Sequence, residues 1–95
     1  MPDFYKVVFG SAVEKQLNKL PDYILRKFYA WVTAIELVGV VELRKKPGFH
    51  DEPLKGNRRG QRSVRLNKAY RIIYIESKDA LIECIEVVEV NKHDY

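Results

Sequence analysis

The sequence predicts an α+β fold with the element order β-α-α-β-β-β: a small antiparallel-rich sheet with a helical hairpin packed on one face. Three observations predict it. A short aromatic and β-branched start is followed by two apolar stripes at helical spacing, and the second half turns to two-residue alternation and β-branched runs. Helices and strands segregated in this way pack as two layers. At 95 residues the chain has room for one core, so a single domain over 1–95 is expected.

Residues 4–9 read as a strand ended by Gly10. Ser11 and Glu14 have the spacing of a capping box, so a helix is expected from Ser11. Val13, Leu17 and Leu20 give that helix its apolar stripe. Pro21 closes it and suits the first turn of a second helix. There Ile24, Phe28, Trp31, Ile35 and Val38 form a longer stripe that stops at Gly39. Trp31 lies in the stripe and is expected in the core; Tyr29 lies off it.

Residues 44–60 have no periodicity and carry Pro47, Gly48, Pro53, Gly56 and Gly60, the composition of a long loop with at most a short strand piece. Residues 61–67 alternate, with Val64 and Leu66 to one face and Ser63 and Arg65 to the other. Residues 67–69 make a turn. Residues 70–76 are apolar on both faces except for Arg71, which predicts a central strand, and 77–79 make the next turn. In 80–90, Glu83, Glu86 and Glu89 recur every three residues, as on a helix. Ile82, Ile85, Val87, Val88 and Val90 favour a strand, and a hairpin partner for the preceding strand decides for it.

Composition narrows the function. A hydrophobic fraction of 46% excludes disorder. No apolar run approaches the roughly 20 residues of a membrane span, and no membrane partner is expected. The first ten residues lack a signal-peptide layout, and the one cysteine, Cys84, has no internal disulfide partner, so a cytoplasmic location is expected. Cys84 reads as a small core residue. One cysteine with His50 and His93 is too small a set for zinc, and no glycine-rich phosphate loop is present; no metal and no cofactor are expected.

The net charge of +4 is unevenly distributed. Residues 1–43 hold five basic and five acidic side chains, 44–71 hold ten and two, and 72–95 hold two and six. The central block, net +8, is the electrostatic footprint expected of a polyanion partner, nucleic acid first. A solvated basic loop gives the same count.

Glu52, Lys55, Arg62, Arg65, Arg71, Lys92, His93 and Tyr95 supply what RNA cleavage requires. A 2′-hydroxyl can attack its own 3′-phosphate if one proton is removed, another is given to the leaving 5′-oxygen, and charge on the phosphoryl oxygens is stabilised. Arginine and lysine serve the last task, a carboxylate or imidazole the first two. Arg58, Arg59 and Lys68 lie in the same basic block and extend the phosphate-binding set. Glu52, Lys55 and Arg62 read equally as solvated surface charges, and the tail with His93 and Tyr95 as a frayed terminus. Arg65 and Arg71 sit among apolar strand neighbours and must meet an anion or water.

The segment Glu52-Pro-Leu-Lys55-Gly, the arginine-rich strand with Arg65, Tyr70-Arg71-Ile-Ile-Tyr74 and the terminal His93-Asp-Tyr95 together resemble the RelE/ParE superfamily of toxins from bacterial toxin–antitoxin modules, nearest its YoeB and HigB-like mRNA interferases. The resemblance spans essentially the whole chain. It implies a type II toxin that enters the ribosomal A site, contacts rRNA and cuts mRNA there without a metal. It also implies a neighbouring antitoxin that wraps and neutralises the toxin, with operator DNA contacted only through the antitoxin complex. By position, Glu52 would be the general base, Lys55 an accompanying cation, Arg65 and Arg71 the holders of the scissile phosphate, His93 the general acid and Tyr95 a base-stacking or orienting residue. Asp94 separates His93 from Tyr95, where the YoeB-like tail has them adjacent, so Asp94 joins the candidates for acid or orienter. The ParE branch, on the same scaffold, implies a DNA gyrase inhibitor instead, and an inactive antitoxin-binding homologue is the third reading.

Overall fold

The computed structural model describes residues 4–78 and 81–92. In chain order these form β1 (Phe4–Val8), α1 (Ser11–Leu17), α2 (Asp22–Val38), α3 (Val40–Arg44), β2 (Glu52–Pro53), β3 (Gln61–Arg65), β4 (Tyr70–Lys78) and β5 (Ile82–Lys92). Single 3₁₀ turns, Pro47–Phe49 and Gly56–Arg58, flank β2. The five strands make one sheet in the order β1-β5-β4-β3-β2. β1 runs parallel to β5 and the other neighbours are antiparallel. The predicted β-α-α-β-β-β order therefore gains one helix, α3, and the short strand piece expected within 44–60 forms as the edge strand β2.

Most local signals end within a residue or two of where the sequence places them. Gly10, not Ser11, caps α1: the Glu14 N–H donates to the Gly10 carbonyl at 3.1 Å, and no side chain caps that end. The helix starts one residue early, so Ser11 is its first residue and the capping box does not form. Pro21 likewise caps α2 rather than sitting inside it. Strand pairing carries β4 through Lys78, into the predicted turn at 77–79, and carries β5 to Lys92, beyond the predicted range 80–90. Asp79 and Ala80 lie outside the described residues.

One face of the sheet is buried under the helices. Val13 and Leu17 of α1, with Ile24, Phe28, Trp31 and Ile35 of α2, pack on Val64, Leu66, Ile72, Tyr74, Ile85, Val87 and Val90. Each fully buried large side chain stabilises by about 1.5–3 kcal/mol. Val38, the last member of the predicted stripe, is exposed, because α2 ends there. Gly39 has a positive φ of 84°, and a Cβ there would come within 2.5 Å of the Tyr5 ring, so both the conformation and the close approach require glycine. Past it, the Val40 N–H donates to Glu83 Oε1 at 2.9 Å, which ties the start of α3 to β5. Glu83 is thus an inward carboxylate, 2% exposed, rather than part of a polar face. Cys84 is half-buried and outside the core cluster, because it alternates to the face away from Glu83 and Ile85.

A bulge interrupts the β4–β5 ladder. Tyr74 is opposite Val87 and Ile73 is opposite Glu89, so Val88 is the extra residue. Before it, the odd-numbered residues Glu83, Ile85 and Val87 point to the helices; after it Val90 does. Glu89 and Asn91 are thereby turned to the face away from the helices. The Val90 N–H, on the outer edge of β5 past the end of β1, donates to Gln16 Oε1 at 2.8 Å.

Candidate functional site

The candidate site is the face of the sheet away from the helices, at the β2-β3-β4-β5 end. Arg65 and Arg71 are direct cross-strand partners and both side chains take this face, because their neighbours Val64 and Ile72 take the core. Such pairs put Cβ atoms about 4.5–5.5 Å apart, and like charges there are destabilising. Neither arginine has an acidic partner among the described residues, and Arg71 Nε is buried without a hydrogen-bond partner. Two adjacent guanidinium groups with no carboxylate partner among the described residues, one with an orphaned donor, are arranged for an anion.

Glu52 belongs to the same face. It is opposite Ser63 on β3, and Ser63 is two residues from Arg65, so Glu52 is a diagonal neighbour of Arg65, a spacing of about 7–8 Å and somewhat less between Cβ atoms. The next positions of the same two cross-strand rows bring in Glu89, beside Ile73, and Asn91, beside Arg71. Lys55 and Arg59 are exposed at the two ends of the Gly56–Arg58 turn, and Lys68 is exposed in the 67–69 turn beyond Arg65 and Arg71. There Asn67 Oδ1 accepts from the Ala69 and Tyr70 N–H groups at 2.7 and 2.8 Å, which closes the β3–β4 hairpin.

Three members of the predicted phosphate-binding set are placed differently. Arg62 points to the helix side and is engaged: its Nε donates to Asp51 Oδ1 at 2.7 Å. Lys92 alternates to the face of Val90, opposite Tyr70, away from Arg71. Arg58 does reach over the site face but is paired, with Nη2 donating to Glu89 Oε1 at 2.7 Å and Nη1 to Gln61 Oε1 at 2.9 Å. Among the described residues, four of the ten basic side chains of the block are thus paired within the fold, with Arg44, Lys45, Arg58 and Arg62 each holding a carboxylate. His93, Asp94 and Tyr95 lie outside the described residues. β5 brings the chain to Asn91 directly opposite Arg71, three residues after the bulge. His50 is exposed, with a positive φ of 46° in the turn before Asp51.

Sequence reading missed the polar cluster beneath Glu52. Asp51 is 2% exposed in its side chain and accepts from Arg62 Nε and, at 2.6 Å through Oδ2, from the Tyr74 hydroxyl. Arg44 donates to Glu76 at 2.5 Å and to the Tyr74 oxygen at 3.2 Å, with its Nε 3.8 Å from Asp51. No local signal separates Asp51 from Glu52, since both are loop acids after His50. Burial and the bond to Asp51 push the Tyr74 hydroxyl pKa above its usual range. Burial opposes the charge of Glu76, but the Arg44 bond outweighs it and holds the carboxyl below its ordinary value; the same bond holds the Arg44 guanidinium firmly protonated against burial.

The Tyr74 shift fixes a sign. In the unfolded chain a tyrosine ionises near pH 10, whereas in the fold Tyr74 keeps its proton to higher pH. Above about pH 10 the native state therefore binds more protons than the unfolded one, and stability falls as pH rises. Tyr74→Phe is expected to be less stable than wild type at pH 8 by about 1–3 kcal/mol, because Asp51 loses a donor. The deficit is expected to shrink between pH 10 and 11. Urea melts across that range check it, and a deficit constant with pH would refute the assignment.

The fold that carries this face is the RelE/YoeB-like toxin fold, α+β with a five-strand mixed sheet. A YoeB/ParE toxin from Agrobacterium tumefaciens superposes with a TM-score of 0.69 at 19% identity, covering 94% of this chain and 99% of that one. The YoeB–YefM complex from Staphylococcus aureus gives 0.67 at 18%, covering 95% and 98%. The toxin–antitoxin complex RelBE2 from Mycobacterium tuberculosis gives 0.61 at 24%, covering 95% and 99%. No protein-family model and no curated sequence matches the chain.

Proposed function

We propose that this chain is the toxin of a type II toxin–antitoxin pair and a ribosome-dependent mRNA endoribonuclease. The observation that carries the reading is the Arg65–Arg71 pair, free of acidic partners among the described residues and flanked by Glu52 on one face of the sheet. The shared fold with toxins of that class supports it. In this mechanism Arg65 and Arg71 hold the scissile phosphate and stabilise charge developing on its oxygens. Glu52 takes the proton of the 2′-hydroxyl, which attacks the adjacent phosphorus. The P–O5′ bond breaks, and a proton from the C-terminal group, His93 with Asp94 and Tyr95, goes to the leaving oxygen. The products are a 2′,3′-cyclic phosphate and a 5′-hydroxyl. The open face is shallow, so the ribosomal A site supplies the opposite wall and presents the mRNA.

The antitoxin is the second partner. A groove of about 560 Å³ on the helix side is lined by Trp31, Leu43, Phe49 and Leu66 and flanked by Lys27, Lys46 and, at its end, Arg65. Its apolar floor and cationic rim suit an acidic, amphipathic antitoxin segment that folds on binding.

Induction in growing cells without the antitoxin tests the reading. Growth arrest with new codon-phased mRNA 5′ ends bearing 5′-hydroxyls is expected, as is resistance of a 2′-deoxy nucleotide at the cut site on programmed ribosomes. Arrest with intact mRNA and broken or over-wound DNA would instead select the gyrase-inhibitor reading.

A further inference from the structure

Glu89 is a carboxylate in an unexpected place. Strand alternation from Glu83, Ile85 and Val87 would carry it to the helix side, and the bulge at Val88 turns it to the open face. There it shares a cross-strand row with Ile73, Ser63 and Glu52, next to the row of Asn91, Arg71 and Arg65. The two rows are two residues apart along the strands, about 6.6–6.8 Å, the scale of one nucleotide step. Arg58 spans the sheet above this point, from Gln61 on β3 to Glu89 on β5, and so crosses β4. Asn91 Nδ2 donates to the other oxygen of the same carboxylate. Glu89 is therefore a carboxylate held by a guanidinium and an amide, one step from two arginines that have no acidic partner among the described residues.

A carboxylate and a phosphate offer a guanidinium the same paired oxygen acceptors. We propose that Glu89 is the resting occupant of a second phosphate subsite on Arg58, and that the neighbouring phosphate of a single-stranded polyribonucleotide bound at Arg65 and Arg71 replaces it there. The inference rests on the RNA-binding reading of that face. The exchange is feasible because the pair is partly exposed, at 40% for the Arg58 side chain and 21% for Glu89. A phosphate already tethered to the one on Arg65 and Arg71 arrives at high effective concentration. Free phosphate lacks that tether and does not displace Glu89, so the subsite selects a continuous strand over a small anion.

The test is fluorescence anisotropy of the full chain with a 2′-O-methyl single-stranded oligoribonucleotide, which binds but is not cut, over a salt series. Wild type is compared with Glu89→Gln, Arg58→Gln, the double variant and Arg71→Ala, each checked for folding by its melting curve. Glu89→Gln is expected to bind several-fold more tightly. Arg58→Gln is expected to bind more weakly, with a salt slope shallower by about 0.7, the loss of one phosphate contact. In the Arg58→Gln background, removing Glu89 is expected to gain nothing. Should Glu89→Gln fold poorly, Glu89→Asp keeps the charge but shortens the reach to Arg58 and is expected to tighten binding in the same direction. Unchanged or weaker binding by Glu89→Gln, or a gain that persists without Arg58, would overturn the subsite. If Arg71→Ala still weakens binding in that case, the RNA reading stands and only the subsite falls. If no variant alters a weak, salt-insensitive binding, both fall.

Discussion

Arg71→Ala is expected to lower mRNA cleavage on programmed ribosomes by about 10²–10³-fold, the usual effect of removing one fixed donor from a charged transition state. Three features suit the side chain to that proposed role. It faces away from the core, has no acidic partner among the described residues, and keeps a buried Nε with no acceptor. In the free protein it sits beside the like charge of Arg65, so its removal is expected to leave stability unchanged or slightly higher. Loss of activity with an unaltered melting temperature is the combination that a structural arginine does not produce. Arg71→Lys is expected to recover only part of the rate, because a point charge replaces a two-pronged fork. Single-turnover cleavage with melting curves for wild type and both variants decides it. Cleavage by Arg71→Ala at the wild-type rate would remove the phosphate-holding role.

Asp51→Ala is expected to cost about 3–5 kcal/mol of stability, the range for removing one member of a buried ion pair. Asp51 receives Arg62 Nε and the Tyr74 hydroxyl on its two oxygens, and its backbone carbonyl accepts from Arg62 Nη2 at 3.3 Å. Truncation leaves a cation and a hydroxyl on the helix side of the sheet with their desolvation uncompensated. Against a typical total of about 5–15 kcal/mol, that loss is large. Asp51→Asn keeps the shape and one acceptor oxygen and is expected to cost less. Glu42→Ala, which removes an exposed pair with Lys45 at 3.0 Å, is expected to change stability by under about 1 kcal/mol and serves as the control. Urea denaturation of the three variants measures the order, and equal costs for Asp51→Ala and Glu42→Ala would refute the cluster's role. Because Asp51 anchors the strand end next to Glu52, its loss is expected to slow cleavage as well, in parallel with stability.

Much of this architecture is legible one element at a time. The stripe Ile24, Phe28, Trp31 and Ile35 is buried as its spacing requires. Val64 and Leu66 alternate inward, and β4 is the middle strand. These features depend on repeat distances within a few residues, which a helix or strand converts directly into a buried face. The strand assignment of 82–92, against the three-residue recurrence of its glutamates, follows from β-branching and from the need of β4 for a partner. The segment 40–53 was less legible. α3 is five residues long, too short for a periodic signal, and a glutamate 43 positions away receives its first N–H.

The site divides along the same line. Sequence alone determined that a basic strand pair would carry Arg65 and Arg71 at a sheet surface, with Glu52 in the loop before it, because charge and alternation are local properties. Tertiary structure decided which charges remain available. Arg62 differs from Arg65 by three positions, which in a strand means opposite faces, and only one of those faces holds Asp51. Arg58 looks like another solvated arginine until β5 brings Glu89 beneath it, and β5 does so only because Val88 is squeezed out of the ladder. The physical reason is that a side chain's face is set by its own backbone, whereas its free charge is set by partners that are 11 and 31 residues away in the chain and become neighbours only when the sheet closes.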